Sequence, residues 1–600
     1  MKMRFWQLTV LLIGVALIFS SCSPASEETG TPATTVVGEV TTPSTPEQST
    51  PTTTGPVSTS TPEGTRTPQY GGVLTVATAL DASYLDPWNG SSNTNFVAPV
   101  LEKLAQGDWG IDRDIFNFQG TKYVPLEVYG PVLAESWEVI DDTTFIVNIR
   151  KGVFWQNKAP VNGRELTASD VEYSWARNLG TGYGFTEPSP NSAWGTTIPW
   201  ESIKAIDKYI IEVKISQPNL QALEIFLCEA YELSWIIPRE VIEKNGDLND
   251  WRDLVGTGPF ILSDYVGGSS WVFTKNADYW GYDENYPQNK LPYLDELQIL
   301  IIPDVSTRLA GLRSGKIDIE GAGNLTTSQA LKQSNPEIIQ IPYLNSGAPS
   351  INFRADAEPF NNPNVRKAMQ MAINLEEIND SYYGGLGRAL PSGQIGLACL
   401  GYYYPYEEWD QELKDAFKYD PTEAKQLLSD EGYPNGFTTT LDICPGFLSN
   451  DADLAQIMKS YWDDIGVTVN IRTVERASFQ GNIFSKSQSP MQMWYQGNNY
   501  SPVNWLKVEY YSKSAWNVLT NADPVYDQMV EKAANVLDRE VQQVTSRECD
   551  KYALEQFWAI YTPRNPYFYF VNPSVGGFNG EMTLGGGTFY TPYTKLWKNE

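Results

Sequence analysis

Apolar and polar side chains alternate most clearly between Thr143 and Ile149. Phe145, Val147 and Ile149 share one face there, and Thr144, Ile146 and Asn148 the other. A two-residue period predicts a half-buried strand. Arg150-Lys151-Gly152 then predicts a turn, followed by the aromatic pair Phe154-Trp155 and a loop bounded by Pro160 and Gly163. Thr167 is placed as a helix N-cap, with Asp170 three residues on able to reach back to the cap N–H. The two-residue period returns over Lys208–Ile215, with Tyr209, Ile211, Val213 and Ile215 together, and over Gly466–Val474. Gly71 to Ala77 gives a shorter strand signal, then a turn at Tyr84-Leu85-Asp86-Pro87, and Trp235 to Pro238 ends a buried run. Elsewhere the period lengthens. Val365, Ala368, Met369 and Ala372 lie at i, i+3, i+4 and i+7 behind an Asn362 cap and Pro363 at the first helical position. Asp420-Pro421-Thr422-Glu423 opens another helix, with Leu427 and Leu428 inward and Gly432 and Pro434 as stop signals. Strands and helices interleave throughout, the pattern of an α/β fold.

The N-terminal region follows other rules. Lys2 and Arg4 precede an apolar run from Leu8 to Phe19, broken only by Thr9. That run is too short to cross roughly 30 Å of hydrocarbon, and it fits a signal peptide over 1–21. Ser20-Ser21-Cys22 resembles a bacterial lipobox, although Phe19 stands where Leu is usual. The reading is cleavage before Cys22, acylation of its thiol and anchorage at the extracytoplasmic membrane face. Residues 22–69 are dominated by Thr, Ser, Pro, Gly, Ala, Val and Glu. Such a segment cannot bury enough apolar surface to offset its chain entropy, so it is expected to be a disordered tether. Its random-coil reach is roughly 35–40 Å. The folded body begins near Tyr70. Within it, the aromatic-rich stretch 107–130 is expected to be a surface excursion.

Composition narrows the chemistry. The chain has 43 Lys and Arg against 72 Asp and Glu, a net charge of −29. A surface this acidic repels phosphate backbones, which argues against a nucleic-acid partner. There is no histidine, which removes Ser-His-Asp and Cys-His catalysis and HExxH zinc sites. No cofactor or metal is implied. Of five cysteines, Cys228, Cys399, Cys444 and Cys549 could form up to two disulfides or stay buried thiols, and no CxxC occurs. Val255 to Phe260 and Gly311 to Lys316 have the look of phosphate loops. The first lacks GK[ST] and loses a donor at Pro259, and the second has the wrong spacing.

One motif order is distinctive. Glu135-Ser136-x-x-x-x-Asp141-Asp142, Ile149-Arg150-Lys151-Gly152-Val153 and Thr167-Ala168-x-Asp170-Val171 occur in sequence. They are followed by VGTGPF from Val255, NADYW from Asn276, PYLD from Pro292 and STRLAGLRSGKIDI from Ser306. Further on come PF and VRKA at 359–368, YDP with GYP at 419–434, and WDDIGVTV from Trp462. This order closely resembles the family-5 extracellular solute-binding proteins, the dipeptide- and oligopeptide-binding type. The resemblance implies a two-lobed Venus-flytrap fold of type II with an additional domain. Lobe one would comprise 70–100, 251–330 and 561–600, the additional domain 101–250, and lobe two 331–560. It also implies a monomeric, non-enzymatic subunit that binds solute between closing lobes and delivers it to the permease subunits of an ABC importer.

The ligand question then falls on MWYQGNNY, Met493 to Tyr500, with Tyr84, Trp494, Tyr495, Gly497, Asn498 and Asn499 as the expected binding residues. In peptide-binding members an Asp of the matching segment pairs with the peptide ammonium. Here Asn498 or Asn499 takes that place, offering a dipole and no charge, which would leave a buried amine under-compensated by roughly a few kcal/mol. A peptide remains the first expectation, with an oligosaccharide as the alternative. Two other classes stay open on residues alone: a secreted carboxylate hydrolase, and a surface adhesion protein for which the tether would suffice.

Overall fold

The computed structural model describes residues 67–88, 94–116, 118–119, 123–190, 198–228, 234–445, 452–497, 501–581 and 592–599. The predicted signal peptide, Cys22 and the predicted tether as far as residue 66 therefore lie outside the described residues. Three sheets organise the body. The largest has seven strands in the order Ile339–Leu344, Pro566–Val571, Ile319–Gly323, Val73–Thr78, Glu296–Ile301, Ser270–Lys275 and Phe260–Val266. Val73–Thr78 runs parallel to Glu296–Ile301 over six residue pairs, burying Leu74, Val76, Leu297 and Ile299 on one core. The second sheet has five strands: Thr468–Thr473, Thr438–Ile443, Met491–Gln496, Ala348–Phe353 and Ala559–Tyr561. Its central strands, Met491–Gln496 and Ala348–Phe353, are buried at every residue.

Helices cover this second sheet, and two of them start where the sequence predicts. Asn362 caps Pro363–Met371 through its side chain, and Asp420 accepts from the N–H groups of Thr422 and Glu423 to start Pro421–Asp430. Trp462, fully buried, donates its indole N–H to the Met369 carbonyl at 3.0 Å and ties helix Ala452–Asp464 to the first of these.

The third sheet, Ala134–Asp141, Thr144–Ile149, Ile210–Ile215 and Trp200–Asp207, carries the alternation described above. Phe145 and Val147 pair with Val213 and Ile211, Ile149 pairs with Ala134, and all three point into the core; each such burial contributes about 1.5–3 kcal/mol. Lys208 and Tyr209 form the turn before Ile210–Ile215. Thr167 and Asp170 form the expected capping box at the start of Ala168–Leu179.

Two expectations change, and one choice left open by the sequence is settled. The aromatic-rich stretch 107–130 is no surface excursion. Its ends pair as a two-stranded ribbon, Ala105–Gly107 with Tyr129–Pro131, and Trp109, Phe116 and Phe118 enter the main core. Tyr123 is buried with Tyr402 and Cys399 in a cluster of the five-stranded unit. Large rings gain most from burial, and here they meet partners from distant parts of the chain. Second, Ile339–Leu344 pairs with Pro566–Val571 in the seven-stranded sheet, so a second lobe beginning at 331 starts too early. The chain enters the five-stranded sheet at Ala348 and leaves after Tyr561. Third, of the two readings of the cysteines, Cys228, Cys399, Cys444 and Cys549 are free, buried thiols.

Candidate functional site

The seven-stranded sheet draws its strands from 73–344 and 566–571, and the five-stranded sheet from 348–561. The chain therefore passes between them twice, at 345–347 and at 562–565. These crossings touch. Thr562 donates its N–H to the Pro349 carbonyl at 3.3 Å, and its hydroxyl bonds the same oxygen at 2.5 Å. Arg564 donates Nη1 to the carbonyls of Asn345, at 3.4 Å, and Ser346. Its main chain pairs with Arg388 in both directions, at 3.1 and 3.0 Å.

The end of strand Met491–Gln496 closes the group. Tyr495 donates its hydroxyl to the Gly347 carbonyl at 3.0 Å and lies 3.4 Å from Asn565 Oδ1. Ser346 Oγ donates to the Gly497 carbonyl at 3.1 Å. Gly497 has φ +76°, and a Cβ there would stand 3.0 Å from Gly396 Cα and 3.2 Å from Gly347 Cα. Three glycines let three backbone segments meet where side chains would hold them apart. The loop bearing Gly396 is held by Asp550, which accepts from the N–H groups of Gln394, Ile395 and Tyr404 at 2.6, 3.2 and 3.1 Å. Burial pushes the Asp550 carboxyl up to about 7. On the seven-stranded side, half-buried Tyr343 stacks on Tyr567 and Tyr569, with centroids 5.8 and 4.8 Å away. Burial, and after it Arg388, pushes the Arg564 guanidinium down to about 9, still charged at neutral pH.

A second set of contacts joins helix Ala222–Cys228 to the five-stranded unit. Glu224 faces Arg539 at 3.0 Å, Arg539 also meets Glu127 at 3.3 Å, and Gln221 bonds Ser501. Tyr123 meets Tyr402 edge-on at 6.4 Å. Burial pushes the Glu224 carboxyl up to about 7 against the pull of Arg539. Beside these contacts a groove of about 490 Å³ runs between Asn219 and Gln221 on one wall and Asn504, Lys507 and Trp516 on the other.

Of the predicted binding residues, the structure brings Tyr495 and Gly497 together at the crossings. Trp494 points to the other face of its strand, where it is 4% exposed, stacks on Phe479 and donates its indole N–H to Glu509 at 2.6 Å. Tyr84 is 46% exposed in its turn, which Asn249 and the Asp86–Arg177 pair hold in place. Among the described residues no hydrogen bond or ring contact joins Tyr84 to Tyr495 or Gly497. Asn498 and Asn499 lie outside the described residues. Sequence reasoning missed Arg564, Glu224 and Arg539. Arg564 had a readable signal, a lone charge inside the apolar and aromatic run Phe557 to Val571. Among the described residues there is no cluster of three metal-ligating side chains, and no helix is long and apolar enough to cross a membrane.

Known proteins share this architecture. The chain is similar to the heme-binding protein A of Haemophilus influenzae, 29% identical over 394 residues that cover 63% of this chain and 68% of that protein. It is similar to a dipeptide-binding protein of Pseudomonas aeruginosa, 26% identical over 473 residues, 75% of this chain and 83% of that one. The periplasmic binding protein DppA of Helicobacter pylori, solved with the peptide STSA, superposes with a TM-score of 0.68 at 22% identity, covering 89% of this chain and 99% of that structure. The fold is thus the mixed α/β, three-domain type of the periplasmic binding proteins. The model of the bacterial extracellular solute-binding proteins, family 5, matches residues 128–518. The chain belongs to that family, whose members are the non-catalytic, extracytoplasmic solute-binding components of ABC importers.

Proposed function

We propose that the chain captures a peptide, or another polar oligomer, between the seven- and five-stranded units and presents it to the permease subunits. Closure would turn on the crossings 345–347 and 562–565. The observation that carries this reading is the pair of crossings itself. With two short connections bonded to each other, the units can rotate with few backbone angles changed, as in hinge closure around a ligand. Contacts from Glu224 to Arg539 and from Tyr123 to Tyr402 would then form as the units come together. The names of the similar proteins, which bind dipeptides, the peptide STSA or heme, support a peptide as the first ligand class to test. A lipid on Cys22 and the 22–69 tether would hold a monomeric body at the membrane face, free to search. Asn498 and Asn499 would form part of the ligand wall.

A thermal-shift screen of the tetherless body against di- to pentapeptides and oligosaccharides tests this, because a ligand bound to the folded state raises the melting temperature by mass action. Stabilisation by oligosaccharides alone would replace the peptide with the sugar reading.

A further inference from the structure

We propose that Arg564 is the receptor for an anionic group of the captured solute, a carboxylate in the first instance. The proposal rests on the solute-binding reading and adds the charge of the ligand to it.

Arg564 is 1% exposed. Its guanidinium has five N–H donors in a planar fork. Nη1 is used on the Asn345 and Ser346 carbonyls, while Nη2 is buried without a hydrogen-bond partner among the described residues. Among the described residues no ion pair reaches it, and the charged group that perturbs it is another cation, Arg388, which is itself paired with Glu407 at 3.2 Å.

Other buried arginines show what the fold ordinarily does with such a charge. Arg177 is paired with Asp86 at 2.6 Å and Arg308 with Glu320 at 3.0 Å. Arg366 has no acid, yet Nε, Nη1 and Nη2 all reach carbonyls, of Gln556, Phe557 and Phe360. Arg564 alone of these four keeps a buried nitrogen unserved. In a chain with 72 acids to 43 bases, a buried cation without an acid is not explained by scarcity of partners. A buried charge left uncompensated is costly, so it persists where something outside the chain completes it. The free Nη2 arm of the fork fits a carboxylate oxygen, in a charge-assisted hydrogen bond. The neighbours suit a ligand as well. Tyr495 and half-buried Asn565 supply neutral polar groups, and Tyr343 with Tyr567 presents stacked rings beside them.

The test uses the full chain and the simplest probes, acetate and its neutral isostere acetamide, at constant ionic strength. A saturable rise in melting temperature with acetate and none with acetamide is expected for the native protein, with loss of the acetate response in Arg564→Gln. Equal responses to the two probes, or an unchanged acetate response in Arg564→Gln, would overturn the assignment. If Arg564→Gln fails to fold, the native acetate-to-acetamide comparison still decides, and Arg564→Lys, which keeps the charge without the fork, should bind acetate more weakly. The same contrast carries to ligands: peptides with a free C-terminus should bind roughly ten- to a hundredfold tighter than their C-terminal amides, and equally tightly in Arg564→Gln. Mass spectrometry of solute extracted from natively purified protein separates the two readings. A bound solute without an acidic group removes the Arg564 proposal and leaves the binding function. A protein that neither carries nor binds any solute removes the function while the acetate comparison still judges Arg564.

Discussion

Arg539 Nη2 stands 3.0 Å from Glu224 Oε1, although 315 residues separate them in the chain. The pair joins the first turn of helix Arg539–Glu555 to helix Ala222–Cys228, so it exists only while these two parts of the body are in contact. Burial holds the Glu224 carboxyl at about 7, above its ordinary 4.5. In an open arrangement Glu224 would be solvated and would return toward the lower value. Closure should therefore take up protons between about pH 4.5 and 7. Calorimetric titration of a bound solute at pH 6, in buffers of different ionisation enthalpy, should show proton uptake that Glu224→Gln removes. The same uptake in Glu224→Gln would mean that another group titrates.

The same physics sets the pH dependence of folding. Glu102, Glu224 and Asp550 are pushed up to about 7 and Glu509 to about 8, in each case by burial first. Their unfolded values lie near 4. Between those limits the folded protein holds protons that the unfolded chain has released, so stability falls as pH rises through the window. Carboxylates held low, such as Glu165 at about 2 beside Lys208, act in the opposite direction and at lower pH. The melting temperature should be higher at pH 5 than at pH 8. A flat or rising profile over that range would show that these acids are solvated in the folded protein.

Much of the scaffold was readable because its signals are local. The alternation of Phe145, Val147 and Ile149 and the caps at Thr167, Asn362 and Asp420 depend on neighbours within a few residues. The site was less readable for two physical reasons. Strands Ala348–Phe353 and Met491–Gln496 are buried on both faces, so no alternation marks which side chains turn toward the crossings. And Tyr495, Gly347, Gly396 and Arg564 come together through chain reversals separated by 49 to 217 residues, for which no local pattern exists. The burial of Trp109, Phe116 and Phe118 escaped for the same reason.

The glycine cluster makes a graded prediction. Gly432 has φ +93° with open space where a Cβ would go. Gly432→Ala should therefore cost about 1–2 kcal/mol, the backbone term alone. A Cβ at Gly396 would stand 1.8 Å from the Gly497 carbonyl oxygen, which cannot move without disturbing the crossing. Gly396→Ala should cost about 1–3 kcal/mol or more from overpacking and should weaken solute binding as well. Urea unfolding of both variants checks the order; a Gly396→Ala cost no larger than that of Gly432→Ala would mean that the three segments are not in contact.

Trp494 separates a wall residue from a supporting one. Its indole N–H is used on Glu509, a fully buried carboxyl, and its ring lies against Phe479. Replacing it with Phe removes a donor to a group that has no water to turn to, at a cost of about 1–3 kcal/mol. Glu509→Gln alone costs less, because it removes the buried acid while keeping an acceptor for the indole. In the double variant the penalties should not add, since the two residues share one contact and the acceptor kept by Glu509→Gln has no indole donor left to serve. Solute affinity should stay within about twofold in Trp494→Phe, as expected for additive, non-contacting sites, whereas Tyr495→Phe, which breaks the bond to the Gly347 carbonyl at the crossing, should weaken it. Chemical denaturation paired with a binding titration on each variant reads both quantities. A large affinity loss in Trp494→Phe with stability unchanged would place the indole on the ligand and move the binding wall to the opposite face of the strand.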